Sequence, residues 1–228
     1  MAMEPVTITW LGHATFHYLA PGGTSILVDP WLEDNPKFPA PWRERLEQGL
    51  DAILITHGHF DHVDDLAAIA RTTRAQVAGI FDLAAWLAKQ GLPEEQFTGF
   101  NKGGTIEHRG VRITMVRAEH SSGDIRGETD VPVYLGEPAG FVVELEDGFR
   151  FLFAGDTDVF GDMRVIAERH APQLAFLPIG GHFTMDPRGA ALAAEYLGVA
   201  HVVPIHYGTF PLLAGTPAQL REELGRRG

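Results

Sequence analysis

Ala52-Ile53-Leu54-Ile55-Thr56-His57-Gly58-His59-Phe60-Asp61-His62 is the stretch on which the fold turns. Asp51–Thr56 holds an unbroken apolar run, Ala52 to Ile55, which reads as a strand buried on both faces. From His62 the period changes: Leu66, Ile69 and Ala70 recur at helical spacing, and Asp64 and Asp65 place negative charge in the first turn. Between strand and helix stand three histidines and an aspartate. Residues two apart on an extended chain point the same way, so His57 and His59 reach one point. Asp61 and His62, at the turn into the helix, face a neighbouring point. Imidazole and carboxylate suit zinc, manganese or iron. The plain alternative is a polar turn with Asp61 as helix cap; so many ligand-type side chains in so short a run argue against it.

Three further residues share this placement. His120 follows the alternating strand Val111–Arg117, Asp156 follows Phe149–Phe153 through Ala154-Gly155, and His206 follows Ala200–Ile205. Taken singly, His206 reads as a core or surface histidine, His120 as a loop residue beside Glu119, Ser121 and Ser122, and Asp156 as a turn residue. Jointly, four strands each end in a candidate ligand. The ends of strands that point the same way gather on one edge of a sheet, where ligands bind.

The remaining pattern sets the architecture. Val6–Trp10, Thr15–Leu19 and Ser25–Val28 read as short strands, as do Gln76–Ile80 and Leu174–Leu177. Phe141–Leu145 and Phe149–Phe153 form a hairpin at Asp147-Gly148. Leu83–Gln90 reads as a helix ending at Gly91, and Met163–Arg169 as another. Asp186-Pro187 caps and opens a third, and the capping box Thr216-Pro217-Ala218-Gln219 starts the last. Hairpins followed by strands mixed with helices point to an α/β (α+β) chain of two facing sheets with helices outside. The antiparallel signals argue against one doubly wound parallel sheet.

The 228 residues suit a single domain, 1–228. With no cysteine, thiolate ligands, a cysteine nucleophile and a disulfide scaffold are excluded. Lys+Arg 18 against Asp+Glu 30 leave a net charge of −12, which repels nucleic acid and anionic lipid. No apolar run is long enough to span a membrane, and Met1–Trp10 lacks the marks of a secretory signal, so a cytoplasmic location is expected.

The His-x-His-x-Asp-His run, followed in order by a histidine, an aspartate and a histidine, resembles the metallo-beta-lactamase superfamily. The resemblance covers nearly the whole chain. Trp10-Leu11-Gly12-His13-Ala14-Thr15, Ile26-Leu27-Val28-Asp29-Pro30, Phe153-Ala154-Gly155-Asp156-Thr157 and Ile205-His206-Tyr207-Gly208 are similar to its branch of small metal-dependent hydrolases related to the ascorbate-6-phosphate lactonases. The resemblance implies a four-layer αββα sandwich with two metals at one edge. It implies that His57, His59 and His120 hold the first, that Asp61, His62 and His206 hold the second, and that Asp156 bridges them. Zinc is the default, with manganese, iron or nickel accepting the same ligands. Two such ions about 3.5–4 Å apart share a water, lower its pKa and direct the hydroxide at a carbonyl or phosphoryl centre. Asp61 orients that hydroxide as well as binding metal. No serine lies in a nucleophile-elbow context.

Other residues carry two readings each. His13 and Asp29 follow apolar strands and either orient ligands or form a satisfied polar pair. His182, in Gly180-Gly181-His182, contacts substrate or stabilises an oxyanion, or is a loop histidine. Tyr207 is a phenol donor or a packing residue. Ser121–Gly136 is a polar loop that lines the site or skirts the surface. Asn35–Trp42, with Phe38, forms a pocket wall, a contact for a homo-oligomer or a rigid loop. Asp186 is a helix cap, and His17, His108, His170 and His201 are structural. The expected activity is hydrolysis of a small ester, lactone, amide or phosphoester, a small-molecule substrate. A nuclease or phosphodiesterase, a di-iron oxidoreductase and a non-catalytic metal binder are the competing classes. The acidic charge opposes the nuclease, and the complete ligand set opposes the last.

Overall fold

The computed structural model describes residues 4–124 and 131–227. In chain order the elements are β1 (Thr7–Trp10), β2 (Phe16–Leu19), β3 (Ser25–Val28), α1 (Trp42–Gln48), β4 (Ala52–Leu54), α2 (Phe60–Val63), α3 (Leu66–Thr73), β5 (Gln76–Ile80), α4 (Leu83–Lys89), β6 (Phe97–Phe100), β7 (Thr105–His108) and β8 (Val111–Arg117). There follow β9 (Gly123–Asp124), β10 (Val133–Tyr134), β11 (Ala139–Glu144), β12 (Arg150–Phe153), α5 (Met163–His170), β13 (Leu174–Pro178), α6 (Pro187–Leu197), β14 (His201–Ile205) and α7 (Pro217–Arg227).

Among the described residues, two six-stranded sheets form, in the orders β1-β2-β3-β4-β5-β6 and β14-β13-β12-β11-β8-β7. The period of two along each strand explains how the second sheet serves two cores. Phe141, Val143, Phe151, Phe153 and Phe176 face the first sheet. Val142, Leu152, Ala175 and Leu177 face the opposite way and pack with Met163, Ile166, Ala190 and Leu220 of α5, α6 and α7. Leu46, Ile69 and Leu87 of α1, α3 and α4 join the core of the first sheet. The layers are therefore helix, sheet, sheet, helix, as expected.

Aromatic rings lock the sheets together. Phe16 of β2 lies 5.0 Å from Phe176 and 6.0 Å from Phe153, and Tyr18 stacks on Phe151 at 4.8 Å. Truncating one such ring to alanine costs about 3–5 kcal/mol.

Strand direction positions the site. In the second sheet β11 is antiparallel to both β8 and β12, while β13 and β14 are parallel to β12. So β8, β12 and β14 run one way and deliver His120, Asp156 and His206 to one edge. In the first sheet β1 runs with β3 and β4, because β2 is antiparallel to β1 and to β3. Their ends carry His13, Asp29 and His57.

Several elements differ from the sequence reading. The helix expected from His62 is two: α2 begins at Phe60 and ends at Val63, and α3 begins at Leu66. Asp65 separates them because its Oδ2 accepts the Leu32 N–H at 2.6 Å and the Glu33 N–H at 3.1 Å, tying down another loop. Helix α1 and strands β6 and β7 are additional. α1 is short and buries Leu46 alone, and β6 and β7 are half-exposed strands at sheet edges. The hairpin, the Asp186 cap and the Thr216–Gln219 capping box form as read. Among the described residues no helix is long and apolar enough to cross a membrane.

Candidate metal centre

The six-residue run lies over the joint between the sheets, held by two close approaches. A Cβ on Gly58 would come within 2.5 Å of the Leu135 side chain. A Cβ on Gly155, whose φ is +66°, would meet the Ala139 carbonyl and Thr56 at 2.9 Å. Only glycine lets the chains ahead of His59 and Asp156 come this near.

All seven ligand residues expected from the sequence converge. Ligand atoms of His57, His59 and His120 lie within 4.8 Å of one another, as do those of Asp61, His62 and His206. Asp156 joins the two groups: its Oδ2 is 2.9 Å from His206 Nε2, 3.5 Å from His62 Nε2 and 3.6 Å from His120 Nε2. His13 also belongs to the second group, its Nε2 3.0 Å from Asp61 Oδ2.

Asp29 orients the histidines. Its carboxylate accepts the Thr56 N–H at 2.8 Å and the Thr56 hydroxyl at 2.7 Å. With that proton committed, the Thr56 oxygen accepts from His57 Nδ1 at 3.0 Å. Asp29 Oδ2 also accepts from His62 Nδ1 at 2.8 Å. Both imidazoles thus turn their Nε2 atoms toward the centre, as the partners of metal-ligating histidines make them do. Thr209 does the same for His13. Its hydroxyl donates to the Tyr207 carbonyl at 3.3 Å and accepts from His13 Nδ1 at 2.9 Å. Thr56 and Thr209 were not singled out from the sequence; only their adjacency to ligand-bearing strand ends marks them.

These donors fit cations. His57 Nε2 and His59 Nδ1 face each other at 3.0 Å, and both His62 Nε2 and Asp156 Oδ1 are buried without a hydrogen-bond partner. Burial pushes His57 well below its ordinary pKa and lowers His13 and His59 to about 4, so these side chains are neutral and carry a lone pair at pH 7. Burial alone would raise Asp156 and Asp61, but the imidazoles of His206 and His62 hold both below the carboxylate range. Against its own burial, His206 rises to about 9 because Asp156 and Asp61 face it, and His62 rises for the same reason. The carboxylates pull positive charge strongly to this point.

His13, Asp29 and His206 adopt left-handed backbone conformations, with φ of 54°, 49° and 53°. Few non-glycine residues adopt this conformation, and three of them meet here.

A cavity of about 750 Å³ opens onto the centre, with His59, Asp61, His120, Asp156 and His206 at its floor. Ser121, Gly123 and Asp124 also line it, so the start of the Ser121–Gly136 loop borders the site; residues 125–130 lie outside the described residues. Phe60, Phe183, Phe210, Pro211 and Leu212 make up the apolar wall. His182 is not brought to the centre: it is exposed, with its ring edge-on to Phe183. Tyr207 stacks on Trp10 at 6.0 Å. In Asn35–Trp42, Phe38 and Trp42 pack on the core and Asn35 bonds back to the Trp31 carbonyl, which makes the segment a rigid loop.

A family model described as the beta-lactamase superfamily domain matches residues 24–207. The chain belongs to the beta-lactamase superfamily. Within it, the chain is 48% identical over 223 residues to the UPF0173 metal-dependent hydrolase of Roseiflexus sp. (strain RS-1), covering 97% of this chain and 91% of that protein. It is 50% identical over 223 residues to the UPF0173 metal-dependent hydrolase of Rubrobacter xylanophilus, covering 97% and 89%. The solved structure of Igni18, a metallo hydrolase from Ignicoccus hospitalis KIN4/I, superposes with a TM-score of 0.83 at 33% identity, covering 98% of this chain and 91% of that one. The chain is thus a member of the superfamily's metal-dependent hydrolases, with the metallo-beta-lactamase fold and a buried His/Asp cluster able to bind metal.

Proposed function

We propose that this superfamily member hydrolyses a small ester, lactone, amide or phosphoester at a dinuclear centre. His57, His59 and His120 would hold one divalent ion, Asp61, His62 and His206 the other, and Asp156 would serve both. The observation that carries this is the Asp156 carboxylate, which faces imidazoles from both groups at once. When bound, such ions supply an activated water and an electrophile for the substrate oxygen. The chain's own residues do the rest. Asp29 and Thr56 fix the ligand tautomers. Asp61, between His13 and His206, is placed to orient an attacking water. The walls of the cavity hold the substrate and exclude solvent. Zinc is the expected metal and a cytoplasmic location the expected address. Elemental analysis of protein purified without added metal tests the reading, paired with hydrolysis assays on lactones, thioesters and phosphodiesters in zinc or manganese. Two equivalents of metal per chain with turnover of at least one substrate class are expected. A single equivalent at saturation would overturn the dinuclear reading.

A further inference from the structure

Two of the seven ligand residues come from strands that are not neighbours. His120 follows β8 and Asp156 follows β12, with β11 between them, so their chains leave the sheet two strand spacings, about 10 Å, apart. Yet His120 Nε2 lies 3.6 Å from Asp156 Oδ2. The path of the chain beyond each strand therefore decides whether the two side chains can serve one cation. Two hydroxyl groups fix that path. Thr157, fully buried, follows Asp156; its hydroxyl accepts the Glu119 N–H at 2.9 Å and donates to the Asp158 carbonyl at 2.7 Å. The Asp158 N–H donates to the Glu119 carbonyl at 3.1 Å, so the residue before His120 is gripped by both its backbone groups. On the other side of His120, the Ser122 hydroxyl accepts the Gly58 N–H at 3.1 Å, between His57 and His59. His120 thus stands between one bond to the Asp156 segment and one to the His57–His59 turn.

We infer that Thr157 and Ser122 are positioning residues for one ion only, the one assigned to His57, His59 and His120. Each acts through the backbone beside a ligand. The inference rests on the dinuclear reading above and deepens it. The other group has supports of its own: Asp29 holds His62, and His13 meets Asp61. Asp156 keeps its place without the Thr157 hydroxyl, because Gly155 packs on Ala139 and Thr56 and the Thr157 carbonyl accepts the Met185 N–H at 3.1 Å. Loss of either hydroxyl therefore frees His120 to drift while the second group stays intact.

Zinc binding to the full chain is measured by chelator competition, which resolves the two equivalents. Thr157→Val keeps the shape of the side chain and removes the hydroxyl; it weakens one equivalent about 10–100-fold and leaves the other within about threefold. Ser122→Ala, at a half-buried position, does the same and carries the test alone if Thr157→Val fails to fold. Thr157→Ser restores the hydroxyl and brings affinity back to within about threefold of wild type, which a packing role alone would not do. His120→Asn identifies the equivalent: in that background Thr157→Val leaves the remaining ion unchanged, because the ligand it positions is gone. Circular dichroism of the metal-free variants reports the fold. Equal weakening of both equivalents, weakening of neither, no rescue by Thr157→Ser, or a further loss in the His120→Asn chain overturns the inference. A wild-type chain that saturates at one equivalent overturns the dinuclear reading instead. The positioning role then stands if Thr157→Val weakens that ion and Thr157→Ser restores it, and falls otherwise.

Discussion

The floor and the wall of the cavity are built by opposite means. The floor rests on Asp29, Thr56, His57 and His62, all fully buried and joined by hydrogen bonds, those to Asp29 charge-assisted. The wall is apolar, and its outer members Phe183 and Leu212 are more than half exposed. A buried polar network tolerates no partial loss, because each partner left behind is an unsatisfied group in a low dielectric. An exposed apolar wall loses only contact area. Changes in the floor should therefore abolish metal and chemistry together, whereas changes in the wall should retune selectivity.

The strongest test is Asp156→Ala. Losing the carboxylate that faces both ligand groups should remove at least one metal equivalent and lower turnover about 10³-fold or more, as read by elemental analysis and kcat. Retention of two equivalents would show that Asp156 spans nothing. Asp29→Asn removes no ligand, but it weakens the hold on His62 directly and on His57 through Thr56, so it should weaken metal affinity about 10–100-fold, measured by chelator competition, and lower Tm by several degrees. Unchanged affinity would break the claim that the floor orients its ligands.

His13→Ala sharpens the boundary between holding and orienting. We expect metal to stay and kcat to fall about 10–100-fold, with Thr209→Val giving a smaller effect in the same direction. Metal lost together with kcat would promote His13 from neighbour of Asp61 to ligand. The smallest effect belongs to a histidine outside the centre. His17 is buried against Ser25, and burial lowers its pKa to about 4. The unfolded chain takes up that proton near pH 6.5, so the native state loses stability as pH falls from 6.5 toward 4. The loss between pH 7 and 5 is about 1–2 kcal/mol, and His17→Gln should flatten the Tm-against-pH slope there.

The sequence made the floor legible and left the wall obscure. His57 to His62, His120, Asp156 and His206 could be read because each follows a strand, and strand ends of common direction must meet at one edge. Asp29 and His13 share that placement, but nothing in sequence reports that one carboxylate serves both Thr56 and His62. The wall comes from Phe183, Phe210 and Leu212, which lie in loops without periodicity, so the attention drawn by His182 belonged to its neighbour. The two sheets followed from the hairpin and the short early strands. α1, β6 and β7 escaped because few buried side chains mark them.

The left-handed backbone at His13 and His206 has a practical corollary. Glycine or asparagine would suit the backbone better at either place by about 1 kcal/mol, but would strip the buried Asp61 of an imidazole, which costs more. Backbone-guided stabilisation of this enzyme would therefore misjudge both places: the replacements that relax the chain should lower Tm as well as turnover.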